Sequence, residues 1–141
     1  MKIPLLNRIV RLGLPGTAPA PVADAAAEAA VSNLRDALPE LLAAAVVELQ
    51  TGRLLASHAA HRGPDLARAA QHHAAVVRQK QQAVAALRLE GEQIADILIS
   101  TREQLHLLRL LPGGQRLLYL AVSTHDTNLA VARSVLHHVA G

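Results

Sequence analysis

Two hydrophobic periods alternate along this chain. From Asp24 to Leu38 the apolar residues Ala27, Val31, Leu34 and Leu38 recur at helical spacing; Asp24 offers a capping oxygen and Pro39 stops the run. Leu42–Leu49 and Arg53–His58 are short aliphatic runs separated by Gln50-Thr51-Gly52, the pattern of a β-hairpin. His61-Arg62-Gly63-Pro64 breaks the chain before a long helix over about Asp65–Arg88. Three more apolar runs follow, Gln93–Thr101, Gln104–Leu111 and Arg116–Ser123, joined only by Arg102-Glu103 and Pro112-Gly113-Gly114-Gln115. Connections this short cannot hold crossover helices, so these strands must be antiparallel neighbours. A last helix, Asn128–Val139, follows the capping residues Asp126-Thr127-Asn128 and turns Leu129, Ala132, Val135, Leu136 and Val139 inward.

The order is helix, strand, strand, helix, strand, strand, strand, helix: an α/β chain of the α+β layered kind, with one five-stranded antiparallel sheet. Leu117–Val122 is apolar on both sides, so both faces of the sheet need cover, two helices on one and one on the other. The domain spans 23–141, preceded by a separate segment, 1–22.

The long helix carries a second pattern. Leu66, Ala70, His73, Val77, Lys80, Val84 and Leu87 alternate spacings of four and three, a heptad seam suited to pairing with another helix. Ala69, Val76 and Ala83 widen the stripe on one flank, which suits a sheet. His73 and Lys80 argue against complete burial of the seam in the protein's own core. The bland alternative is a one-sided surface helix whose period falls near 3.5 by chance.

In the first segment Leu5, Leu6, Ile9 and Leu12 fall on one side of a short helix, and Asn7, Arg8 and Arg11 on the other. Pro15-Gly16-Thr17-Ala18-Pro19-Ala20-Pro21 reads as an extended, semi-rigid linker. Either the segment is a fraying end, or Leu5, Leu6, Arg8, Ile9 and Leu12 dock on a partner or an anionic membrane surface. Arg8 and Arg11 interrupt any secretory h-region, and Leu38–Leu49 is broken by Pro39, Glu40 and Glu48, so no transmembrane span is expected. Membrane contact, if any, runs through this segment alone.

Composition narrows the function classes. Tyr119 is the sole aromatic residue, so Leu, Val, Ile and Ala must form the core, and a small aliphatic domain gains from burying more surface in an oligomer. The net charge is +3; of the 14 basic residues only Lys2 and Lys80 are lysine, and the arginines (Arg35, Arg53, Arg88, Arg109, Arg133) are scattered. Neither a basic stripe nor aromatic stacking platforms are present, which excludes the usual nucleic-acid binders. With no Cys there is no disulfide framework or thiolate metal site, in keeping with a cytoplasmic protein.

No chemistry-bearing constellation stands out. His72-His73 and His137-His138 are adjacent on helices, where successive side chains diverge by about 100° and cannot share one ion. His58, His61 and Asp65 form the best metal candidate, against a reading as solvated loop residues. Ser123, His125 and Asp126 crowd one loop, whereas a triad draws its members from separate elements. G-x-S-x-G, GxxxxGK[ST] and GxGxxG are all absent. The expectation is a protein that is no enzyme and needs no metal or cofactor.

The hairpin Ala44–Ser57 (AAVVELQTGRLLAS) and the ending Leu118-Tyr119-Leu120-Ala121-Val122, then Asn128-Leu129-Ala130-Val131-Ala132-Arg133, resemble the roadblock family of light-chain-like proteins in the roadblock/longin superfamily. The likeness covers about Val31–Val139; it departs at Leu41-Leu42-Ala43, where the family usually has a Pro-Gly-like turn. It implies that the first and last helices share one face of the sheet and the long helix takes the other. It also implies a homodimer made by pairing third strands and second helices, with Ile97 and Ile99 joining the heptad seam at the interface. Roadblock-like proteins regulate or scaffold Ras-like small GTPases, and bacterial members include a gliding-motility GTPase regulator. The expectation is therefore a homodimer that binds a Ras-like small GTPase, with a structural assembly subunit docked through segment 1–22 as the alternative and a small-ligand sensor as a weaker third. No arginine can be singled out as a catalytic finger.

Overall fold

The computed structural model describes residues 24–60 and 65–141. Its elements are α1 (Ala25–Ala37), β1 (Leu41–Glu48), β2 (Leu54–Ala59), α2 (Leu66–Ala86), β3 (Ile97–Ser100), β4 (Gln104–Leu110), β5 (Arg116–Ser123) and α3 (Leu129–Ala140). The five strands make one antiparallel sheet in the order β2-β1-β5-β4-β3. Each helix opens on a side chain that takes a free backbone N–H of its first turn: Asp24 from Ala27, Asp65 from Arg68 and Asn128 from Val131.

The two faces build two cores. On one, Ala44, Val46, Leu107, Leu118, Leu120 and Val122 meet Val31 and Leu34 of α1 and Ala132 and Leu136 of α3. On the other, Ala45, Val47, Leu108, Leu117 and Tyr119 meet Leu66, Ala70, Ala74 and Val77 of α2. Two helices on one face and the long one on the other is the expected layering. Leu117–Val122 is buried throughout because its residues alternate between the two cores.

Most element ends fall within two residues of the sequence reading, the ordinary uncertainty of such boundaries. One does not. The third strand, expected over Gln93–Thr101, begins only at Ile97, and 92–96 leave the ladder. At the end of that stretch the Asp96 side chain turns toward α3, as described below. Segment 1–22, including Leu5, Leu6, Arg8, Ile9 and Leu12, lies outside the described residues.

Gly52 shows how the β1–β2 turn fits under α2. Its φ is +71°, and a Cβ there would lie 2.9 Å from the Gln71 Cα. Gly52→Ala meets both a left-handed backbone and a backbone clash, so it should cost roughly 1–3 kcal/mol, readable as a lower urea midpoint at unchanged m-value.

Candidate interaction surface

The sheet has two edge strands, and they differ. β2 carries α1 on one face and α2 on the other; no helix packs on β3 to a comparable extent. β3 bonds only to β4, through Ile97↔Leu108, Leu98↔Leu107, Ile99↔His106 and Ser100↔Leu105. Its outer row of N–H and C=O groups has no strand beside it among the described residues. Ile97 and Ile99 lean toward the α2 face and Leu98 toward the other, with Leu98 43% and Ile99 37% exposed. The four residues of β3, Ile-Leu-Ile-Ser, carry no charge, so the strand lacks the usual defences of an exposed edge and presents apolar side chains on both faces.

The heptad seam of α2 divides into two parts. Leu66, Ala70 and Val77 are buried in the protein's own second core, so they have little surface to offer a partner. His73 is half-buried against the sheet. Lys80 and Leu87 are exposed, and Val84 is half-exposed. Ala74, outside the seam, is a fully buried contact to the sheet that the heptad reading missed. α2 packs mainly on β1 and β2, and Arg78 donates to the Leu49 carbonyl at the end of β1. The β3–β4 half of this face therefore has no helix lying over it to the same extent.

Tyr119 anchors the boundary between the covered and open halves. Its ring stacks under His73 at 4.2 Å, and its hydroxyl lies 2.7 Å from His106 Nδ1. Burial pushes the Tyr119 hydroxyl up to about 12, so it stays protonated and can donate to His106. Burial also holds both imidazoles below their ordinary value, and at His73 the neighbouring His106 and His72 add to it. Both rings are lowered in the folded state, so their stabilising share is complete above 6.5 and is lost as pH falls through the folded values. Tyr119→Phe should cost about 1 kcal/mol. His73→Gln should flatten the fall of Tm below pH 6.5, and an unchanged profile would show that His73 carries none of it.

Asp96 fixes the start of β3. Its carboxylate takes Arg133 Nε at 2.9 Å and Arg133 Nη2 at 3.2 Å, lies 3.0 Å from His137 Nε2, and has Arg109 3.9 Å away. Arg109 also donates to the Ala95 carbonyl at 3.1 Å. Burial opposes ionisation of Asp96, but hydrogen bonds from His137 and Arg133, with their charges, outweigh it and hold the carboxyl below its ordinary value. His137 Nε2 is also 2.8 Å from Arg109, so that nitrogen either accepts from Arg109 or donates to Asp96, according to where its proton sits. No sequence pattern joins these residues, because they meet only when α3 crosses the ends of β3 and β4.

The remaining candidates have other surroundings. Ser123 Oγ accepts from the His125 backbone N–H in a turn and is not placed as a nucleophile. His61 lies outside the described residues; His58 is lowered by burial and by the Arg35 charge. Among the described residues no three potential metal ligands gather, and no helix is long and apolar enough to cross a membrane.

A five-stranded antiparallel sheet with the first and last helices on one face, the long helix on the other and a bare third strand is the roadblock/LC7 fold. Solved structures bear this out across most of the chain. One described as MglB with tetrameric arrangement is 21% identical, covers 84% of this chain and 88% of its own, and superposes with a TM-score of 0.70. MglB of Myxococcus xanthus is 13% identical over 80% of this chain and 87% of its own, with a TM-score of 0.70. A Roadblock/LC7 domain from Streptomyces avermitilis is 15% identical over 80% of this chain and 90% of its own, with a TM-score of 0.66. No family model matches the sequence, and no curated protein matches it.

Proposed function

We propose that this protein is a self-pairing, non-enzymatic regulator or scaffold of a Ras-like small GTPase in the cytoplasm. Two copies join β3 to β3, extending one sheet across both, and the free ends of their α2 helices meet beside the joint. The carrying observation is the bare β3 edge, with Leu98 and Ile99 exposed at the end of a sheet that is otherwise paired or flanked by helices. Ile97, Ile99, Lys80, Val84 and Leu87 form the joint, with His73 at its margin; Leu66, Ala70 and Val77 support it from beneath. The GTPase occupies the surface that the two long helices share. The likeness to MglB structures, one with a tetrameric arrangement, supports self-association, and the roadblock resemblance of the hairpin and the chain's ending supports a small-GTPase partner.

Sedimentation at micromolar concentration should report a pair or a higher even assembly. Mixing with a Ras-like small GTPase from the same organism should change that enzyme's nucleotide turnover or give a co-migrating complex. A single-chain particle overturns the pairing, and neither binding nor altered turnover overturns the partner.

A further inference from the structure

The open half of the α2 face holds an unusual cluster of rings. His106 of β4 stands opposite Ile99 of β3, one strand in from the bare edge. The Tyr119 ring stacks with two imidazoles, that of His73 in α2 at 4.2 Å and that of His106 at 5.9 Å between centroids. Both imidazoles are half-buried, and no carboxylate among the described residues pairs with either. Around them α2 adds His72 and, two turns on, the exposed Lys80; β5 adds Tyr119, and β3 only Ile97 and Ile99. Nothing here offsets a positive charge.

We propose that this ring cluster makes self-pairing sensitive to pH, the joint closing over neutral imidazoles and parting in acid. It rests on the β3-to-β3 joint. Side chains opposite each other on neighbouring strands lie about 5 Å apart, so a strand added at β3 with its helix covers His106 and the open side of His73. While His106 is neutral, its Nδ1 accepts from the Tyr119 hydroxyl, 2.7 Å away. A proton on Nδ1 turns that nitrogen into a donor, and the hydroxyl hydrogen then needs another acceptor. In the single chain water takes it. Beneath a second copy the neighbouring side chains, Ile99 and Leu108, offer none. Cover also adds to the burial that already holds both imidazoles below 6.5, and at His73 the charges of His106 and His72 act in the same direction. Each imidazole therefore binds its proton less readily in the pair, so the joint is at full strength above 6.5 and weakens as pH falls through the single chain's values. A pair holds two such imidazoles from each copy. Each contributes about twofold once half charged in the single chain, about sixteenfold together.

Sedimentation over a dilution series should show the association constant steady above about pH 7 and at least about tenfold lower near pH ~5, with far-UV circular dichroism unchanged. Asp96 stays ionised over that range, so its tether is intact. His106→Gln keeps an acceptor for Tyr119 but takes no proton. Combined with His73→Gln, it should hold the association constant within about twofold from neutral pH to acid. A native protein that pairs at neutral pH with a constant that does not fall overturns this inference and leaves the pairing standing. A chain that is single at every pH overturns the pairing and this inference with it. A fall that tracks loss of the helix signal also overturns it, and a slope kept in the double variant passes the role to another group, such as His137 beside Asp96. A second measurement leaves the rings unaltered. The His73 and His106 ring proton resonances should titrate at lower pH in the native pair than in the single-chain Leu98→Arg protein, whose substitution lies on the opposite face of β3. Equal midpoints overturn the proposal.

Discussion

Ile99→Arg should leave the protein sedimenting as a single chain at concentrations where the native protein sediments as a pair. Ile99 belongs to neither core and is already 37% exposed, so the fold loses little and stability should shift by less than about 0.5 kcal/mol. At a two-fold joint the substitution enters twice. Each copy forfeits the burial of one isoleucine, about 1.5 kcal/mol, so the pair weakens by at least about a hundredfold before like-charge repulsion is counted. Repulsion between two facing arginines adds to this and makes the effect sensitive to salt. Leu98→Arg, on the opposite face of the same strand, should act alike, because an added strand buries both faces of an edge. An Ile99→Arg protein that still sediments as a pair would place the joint elsewhere.

The layering was legible in the sequence because periods of two and 3.6 residues survive any tertiary arrangement. The apolar run Leu117–Val122 reported a strand covered on both sides, and the short turns after Thr101 and Leu111 left antiparallel neighbours as the one solution. The long helix was harder. A seam spaced by heptads drifts about 20° per heptad around a straight helix, so about 60° separates Leu66 from Leu87. Its first half therefore faces the protein's own sheet, which takes up Ala74 beside His73, while its second half turns away and leaves Lys80 and Leu87 exposed. Sequence spacing alone cannot tell one supercoiled seam from a straight helix serving two surfaces in turn.

The Asp96 cluster was illegible for a different reason. Its members lie 37 and 41 residues apart in the chain, and none is unusual where it stands. A lone Asp inside an apolar run carries no signal of its own, yet its carboxylate meets Arg133 and His137 directly before the strand begins. Asp24 and Arg116, 92 residues apart, were hidden in the same way.

Asp96→Ala should therefore be the most damaging single change near the surface, costing about 2–3 kcal/mol. The side chain is only 11% exposed, and its removal leaves the donors of Arg109, Arg133 and His137 converging on an empty spot. Arg133 is 53% exposed and recovers water, which keeps the loss below that of a fully buried pair. Without its tether the approach to β3 is free to move, so amides of Ile97–Ser100 should exchange faster and self-pairing should weaken along with stability. The two variants then separate position from contact: Ile99→Arg breaks the joint on an intact fold, whereas Asp96→Ala loosens the edge that presents it. Acid should reproduce the second effect in the native protein. The folded carboxyl lies below the ordinary 3.8, so its contribution is whole above that value and disappears as pH falls through the lower folded one. The Asp96→Ala protein should lack that part of the acid transition. If its urea midpoint and its exchange at β3 match those of the native protein at pH 7, the tether has no part in holding the edge.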